Sequence, residues 1–280
     1  MHLRGVPQKH GLLAISHFYK IMNWGVAKMS LMTVQLKNSS KISPPTPARD
    51  SDTQESITTF WSTVAPFYNS DPSNVPKLES PEYEAWIRAI ERLLPRPPVD
   101  VLDIGTGTGF VALIASQLGH RAIGLDLSPA MLVEARMQAD KRGLKANFQN
   151  GDAVAPPFAK ESLDVIVCRH LLWTLRQPEV ALANWLQLLR PKGRVVIIDG
   201  FWFAQSRPEE GFELFEKHYT DRTRESLPAM RWKNVAPVAE LLRAAGFLEV
   251  TTGDLADVHV LADHPPSAAP WYVVTGQRAA

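Results

Sequence analysis

The sequence predicts a doubly wound α/β sheet of seven strands whose last strand runs antiparallel to the others. Short, branched apolar runs alternate with stretches of helical periodicity through the middle of the chain. The first of those runs opens directly into a glycine-rich turn, and two apolar runs joined by a loop close the fold as an expected antiparallel hairpin at the sheet edge.

The elements follow in order. Phe60, Trp61, Val64, Phe67 and Tyr68 recur at spacings of three and four, which predicts an amphipathic helix with one aromatic face. A second helix is expected from Glu82 to Leu94, stopped by the PRPP run, and VDVLDI is a buried strand ending near Ile104. A helix from Gly109 to Leu118, strand RAIGLDL, a helix from Pro129 to Arg142, strand ANFQNGD and strand LDVIVCR come next. The helix from Pro178 to Leu189 is expected to turn Val180, Leu182, Trp185, Leu186 and Leu189 inward, with RPKG as a turn before strand RVVIIDG. Residues 201–234 read as a lid-like insertion over the carboxyl edge of the sheet, followed by helix VAELLRAAGF, a strand near Leu248 to Gly253 and strand WYVVTGQ.

Residues 1–52 read as an N-terminal arm and linker, and 53–280 as the folded domain. Leu12, Ile15, Phe18 and Met22 have helical spacing, so the arm offers a surface for its own body or for a neighbouring subunit, a route to a homo-oligomer; an unordered extension is the ordinary alternative. Lys20, Asn23 and Lys28 interrupt the apolar stretch too often for a membrane span. With 30 Lys+Arg against 29 Asp+Glu the net charge is +1, which supplies no field for nucleic acid or anionic lipid. The single cysteine, Cys168, forms no internal disulfide and no thiolate metal site, and points to the cytoplasm.

The chemistry concentrates in Asp103-Ile104-Gly105-Thr106-Gly107-Thr108-Gly109. Missing side chains there let backbone approach a ligand and let φ become positive. A dinucleotide turn reads GxGxxG, but here the third glycine comes one residue early and an acid precedes the first. A carboxylate repels pyrophosphate and attracts an ammonium, so Asp103 favours a cofactor carrying an amino acid. Asp126, at the end of the second strand, stands where such folds hold a ribose diol. Gly151-Asp152-Ala153 can accept from an exocyclic amine, with Leu127 and Met131 as candidates to sandwich a base.

These residues resemble the class I S-adenosylmethionine-dependent methyltransferase family, especially its small-molecule, quinone-like and natural-product branch, with its Rossmann-like sheet. VLDIGTGTG looks like the first motif of that family, GLDLSP its second acidic motif, GDAVAPPF its adenine loop and LRPKGRVVIID its post-catalytic strand. The resemblance runs from about Phe60 to the end of the chain. It implies S-adenosylmethionine, leaving as S-adenosylhomocysteine, held by Asp103, Gly105, Thr106, Gly107, Asp126, Leu127, Met131, Gly151, Asp152, Ala153 and Arg169, with Tyr68 closing over the methionine part. It implies methyl transfer to O, N or C of a medium-sized, partly apolar acceptor, and some relatives couple methylation to cyclisation.

His170, after the fourth strand, is the leading candidate for a general base; a packing histidine on an apolar segment is the ordinary reading. His218 and Tyr219 lie in the insertion with Trp202, Phe203, Phe212 and Phe215 and are candidates to wall the acceptor pocket. No Asp/Asn-Pro-Pro-aromatic segment follows the fourth strand, which argues against a nucleobase acceptor. An NAD-linked oxidoreductase is the rival from another chemistry, disfavoured by the glycine spacing and Asp103. A non-catalytic cofactor-binding scaffold is the rival from another class.

Overall fold

The computed structural model describes residues 50–70, 74–200, 213–261 and 271–280. Its centre is a seven-stranded sheet of strands β1 (Asp100–Ile104), β2 (Arg121–Asp126), β3 (Ala146–Asn150), β4 (Leu163–Arg169), β5 (Leu189–Asp199), β6 (Leu248–Asp254) and β7 (Tyr272–Gln277), in the order β3-β2-β1-β4-β5-β7-β6. Chain order reverses between β1 and β4, so the crevice outside their carboxyl ends is where a ligand is expected in an open parallel sheet.

The helices are α1 (Asp50–Tyr68), α2 (Pro81–Leu93), α3 (Phe110–Gln117), α4 (Pro129–Arg142), α5 (Pro178–Leu188), α6 (Glu213–His218), α7 (Asp221–Glu225), α8 (Ala236–Ala244) and α9 (Ala256–Leu261). Local chemistry sets their ends. Ser80 and Ser128 cap α2 and α4 by accepting the N–H of Tyr83 and Met131, a proline follows each cap, and Gly143 ends α4 in the left-handed region.

Alternation along the strands fills both faces of the sheet. Val101, Val165 and Val167 pack with Trp86, Ile90, Val111 and Ile114, while Leu102, Ile104, Ile166 and Cys168 pack with Leu182, Trp185 and Leu242. The buried Cys168 thiol is pushed far up by burial and is inert. A third cluster stands off the sheet, where Ile57 and Phe60 of α1 meet Trp173, Phe215, Tyr219 and Leu227. Phe215 and Tyr219 stack at 4.5 Å, and Phe60 meets both edge-on.

Several expectations change. The closing strands do pair as an antiparallel hairpin at the sheet edge, with a long connection that carries α9, and it is β7 rather than β6 that lies against β5. The RPKG segment is no separate turn but an irregularity within β5, with Lys192 at φ +63° and the register slipping between Leu163 and Val165 of β4. Val180 faces solvent, 42% exposed, because the buried stripe of α5 runs through Ala181, Leu182, Trp185 and Leu188. Asp50 to Asp52, expected in the linker, lie in the first turn of α1. The rest of the arm, with Leu12, Ile15, Phe18 and Met22, lies outside the described residues, as do Trp202, Phe203 and Phe212.

Candidate active site

A cleft opens at the carboxyl ends of β1, β2 and β4. Of the residues expected at a cofactor, Tyr68, Gly105, Gly107, Asp126, Leu127, Met131, Gly151, Asp152, Ala153 and Arg169 line it, together with His170. Asp103 and Thr106 do not; both are buried beneath the glycine turn.

The turn explains the glycines. Gly105 takes φ +68°, and a Cβ there would stand 2.7 Å from Leu171 Cδ1. Gly107 takes φ +54° with nothing within 4 Å of a Cβ, so its missing side chain leaves room in the cleft rather than relieving a clash. Asp126 fixes this turn from β2: Oδ2 accepts the Gly107 N–H and Oδ1 the Ser128 N–H, both at 2.8 Å. Burial raises the Asp126 carboxyl above its ordinary range, opposed by backbone N–H groups from Ser128, Gly107 and Leu127.

Asp103 is held from below. Its Oδ2 accepts the Thr106 hydroxyl at 2.6 Å and the Ala112 N–H at 3.0 Å, joining the turn to the first turn of α3. Burial pushes this carboxyl up to about 7. Beside it, the Arg169 guanidinium lies over the Phe110 ring at 4.5 Å and the Trp86 ring at 5.2 Å, and Nη2 donates to the Asn74 carbonyl at 2.5 Å. Nη1 is buried without a hydrogen-bond partner among the described residues.

The loop after β3 is held by α5. Trp185 Nε1 donates to the Ala153 carbonyl at 2.7 Å and Asn184 Nδ2 to the Val154 carbonyl at 2.8 Å. Asp152 is exposed and its Oδ1 accepts the Val154 N–H at 2.8 Å.

The three candidate catalytic side chains separate. His170 lines the cleft at φ +57°, its ring 5.7 Å from Trp271, and burial with the neighbouring Arg169 charge holds its imidazole far below the ordinary histidine range. His218 is bound to Ser56 Oγ of α1 at 3.1 Å and does not line the cleft. Tyr219 is fully buried behind the wall, its phenol bonded to Trp61 Nε1 at 3.0 Å and Thr174 Oγ1 at 2.7 Å.

Sequence reasoning did not single out Gln54, Ile57, Thr58, Trp61, Leu171, Thr174 and Leu175 as lining. The first four are one face of α1, which crosses the cleft. Trp61 was visible as part of an aromatic stripe, but the stripe carries no sign that half of it faces a cleft. Hydrogen bonds anchor α1 on two sides: Ser62 to Ser128 at 2.8 Å, and Asn69 Oδ1 accepting from Thr108 at 2.6 Å.

Residues 102–197 match the family described as a methyltransferase domain. That stretch is similar to a methyltransferase domain. Demethylmenaquinone methyltransferase of Thermus thermophilus is 32% identical over 48% of this chain and 60% of that protein. The ubiquinone/menaquinone biosynthesis C-methyltransferase UbiE of Roseobacter denitrificans is 27% identical over 53% of this chain and 62% of that protein. The chain thus spans about 60% of the length of the curated relatives it matches. In fold, the cyclase SpnF superposes with a TM-score of 0.59 at 19% identity, covering 83% of this chain and 98% of that one. The S-adenosyl-L-methionine complex of Haemonchus contortus phosphoethanolamine N-methyltransferase 2 follows at 0.53 and 19%, covering 70% and 52%. The matched segment holds β1 to β5 and the glycine side of the cleft. The α1 wall, with Gln54, Ile57, Thr58 and Trp61, stands outside it.

Proposed function

We propose that the chain transfers a methyl group from S-adenosylmethionine to a carbon or oxygen of a planar, partly apolar metabolite of quinone-like type. The observation that carries the reading is the cleft at the β1/β4 crevice, lined by both Asp126 and Arg169, whose Nη1 is buried without a hydrogen-bond partner among the described residues. Asp126 would hold the ribose diol, Gly151 to Ala153 the adenine amine, and Leu127 and Met131 the ring faces. Arg169 would take the carboxylate of the amino-acid end, since a buried guanidinium with a free N–H pair calls for an anion. Gly105 and Gly107 let backbone approach, with Tyr68 above them. Asp103, assisted by Thr106, would shape the turn from beneath, and a bound ammonium would favour its ionised form.

When bound, the sulfonium supplies an electrophilic methyl and a good leaving group. The chain's own work is positioning: Asp126 and Arg169 fix one partner, and the apolar wall of Ile57, Trp61, Leu171 and Leu175 holds the other and excludes water. Alignment of this kind can contribute ~7 to 11 kcal/mol. His170 fits that positioning role. An imidazole held so far below its ordinary range is a weak base at neutral pH, and an activated ring carbon or phenolate needs none. His218 and Tyr219 would act through the wall, not on the acceptor. The names of the curated relatives support a quinone-like acceptor, and the lone buried Cys168 suits a reducing, cytoplasmic setting. Coupled cyclisation is compatible with the same cleft.

Calorimetric titration with S-adenosylmethionine, S-adenosylhomocysteine and NAD in parallel tests the cofactor. Binding of the two sulfur compounds alone is expected, and NAD binding alone would overturn the reading. Mass-shift screening of naphthoquinols and phenols with a labelled methyl donor then tests the acceptor.

A further inference from the structure

The buried chain Trp61–Tyr219–Thr174 has a direction that its chemistry fixes. An indole N–H only donates, so the 3.0 Å contact runs from Trp61 Nε1 to the Tyr219 oxygen. The Tyr219 side chain is fully buried, and its own proton has one acceptor among the described residues, Thr174 Oγ1 at 2.7 Å. Were Thr174 to donate instead, the Tyr219 proton would be stranded in the interior, a buried donor carrying its full desolvation penalty. Burial also raises the phenol far above its ordinary range, so the proton stays on Tyr219. The bonds therefore run Trp61 to Tyr219 to Thr174. The Thr174 hydroxyl thus keeps a proton to donate, and Thr174 lines the cleft.

We propose that Thr174 is a specificity-determining hydrogen-bond donor in the acceptor half of the cleft, with Trp61 and Tyr219 as positioning residues that impose its polarity. This rests on the methyl-transfer reading above. Its neighbours in the cleft, Ile57, Trp61, Leu171 and Leu175, offer apolar contact. A molecule that satisfies both is a planar apolar ring system bearing a carbonyl or phenolate oxygen. Thr174 favours that oxygen over a ring that lacks it and over a group that only donates. Sites built to hydrogen-bond one group discriminate strongly against analogues without it.

The test is calorimetric titration of the full chain with 2-methyl-1,4-naphthoquinone and with 2-methylnaphthalene, each with and without S-adenosylhomocysteine. The wild-type protein should bind the quinone at least tenfold more tightly than the hydrocarbon. Thr174→Val should bring the two within about twofold, and Thr174→Ser should restore the preference. Trp61→Phe, which frees the direction of the chain, should lower it severalfold. The double variant Tyr219→Phe/Thr174→Val removes both hydroxyls, so neither is stranded, and should behave like Thr174→Val. A wild-type protein with no preference, or a preference unchanged in Thr174→Val and the double variant, overturns the proposal. Failure of S-adenosylhomocysteine to bind overturns the cofactor reading, while the arms without it still decide the role of Thr174.

Discussion

The Asp126 carboxylate accepts the Gly107 N–H at 2.8 Å, so the end of β2 holds in place the turn that ends β1. One side chain thereby shapes the glycine turn and faces the cleft.

Asp126→Ala should reduce S-adenosylhomocysteine affinity at least tenfold while far-ultraviolet circular dichroism stays native. The lost groups are the proposed ribose contact and a charge-assisted bond to backbone, each worth about 1.5–3 kcal/mol. Calorimetry reads the affinity, and wild-type binding in this variant would remove Asp126 from the site.

The two glycines should separate by mechanism. Gly105→Ala meets both a positive φ and a Leu171 methyl at 2.7 Å, whereas Gly107→Ala meets only the positive φ. Urea unfolding should show Gly105→Ala less stable than Gly107→Ala by about 1–3 kcal/mol, the usual cost of overpacking. Adding Leu171→Ala should recover part of that difference; no recovery would mean that contact with Leu171 is not the cause.

Asp103 should make stability depend on pH. Its carboxyl is raised to about 7, so between the unfolded-chain value and that point the native state holds a proton that the unfolded chain has released. Stability from this group is full in acid and is lost as pH rises through neutrality. Asp103→Asn keeps one oxygen to accept from both Thr106 and Ala112 and removes the titration. Wild-type stability should therefore decline from pH 5 to 8 relative to Asp103→Asn, at up to about 1.4 kcal/mol per pH unit. Parallel urea midpoints across this range would contradict the assignment.

His170 should leave no limb in the pH–rate profile between pH 6 and 9, because its imidazole is already neutral there. His170→Asn should lower turnover without moving the profile. An alkaline rise that disappears in His170→Asn would instead identify it as the base.

Removing the Trp185 indole N–H should act on the cleft from α5. Trp185→Phe frees the Ala153 carbonyl and should weaken S-adenosylhomocysteine binding severalfold, with a stability loss of about 1–3 kcal/mol. An unchanged affinity would show that the loop is held by Asn184 alone.

The sheet and the glycine side of the cleft were legible because local rules set them. Branched apolar runs, Ser-Pro helix starts and the spacing of Asp103, the glycines and Asp126 are all written within short windows. The far wall was not, because its residues meet through distant packing. Ser56 reaches His218 and Trp61 reaches Tyr219 across more than half the chain, and no pattern within α1 reveals them. Tyr219 and His218 looked like site residues because polar aromatics in an insertion usually face a ligand. Here they face α1. The insertion of β7 between β5 and β6 was likewise invisible, since two adjacent apolar strands satisfy the same pattern in either order.

That insertion has a consequence for biosynthesis. On the ribosome β6 is made before β7, its one partner strand in the sheet, and the apolar edge of β5 from Val195 to Ile198 is uncovered over the same interval. Until Tyr272 to Gln277 emerge, the nascent chain displays the open edge of β5 and a β6 without its partner, each able to capture the other or a neighbour on the polysome. The six-residue β7 therefore closes the β5–β6 side of the sheet alone, and its arrival ends that exposure.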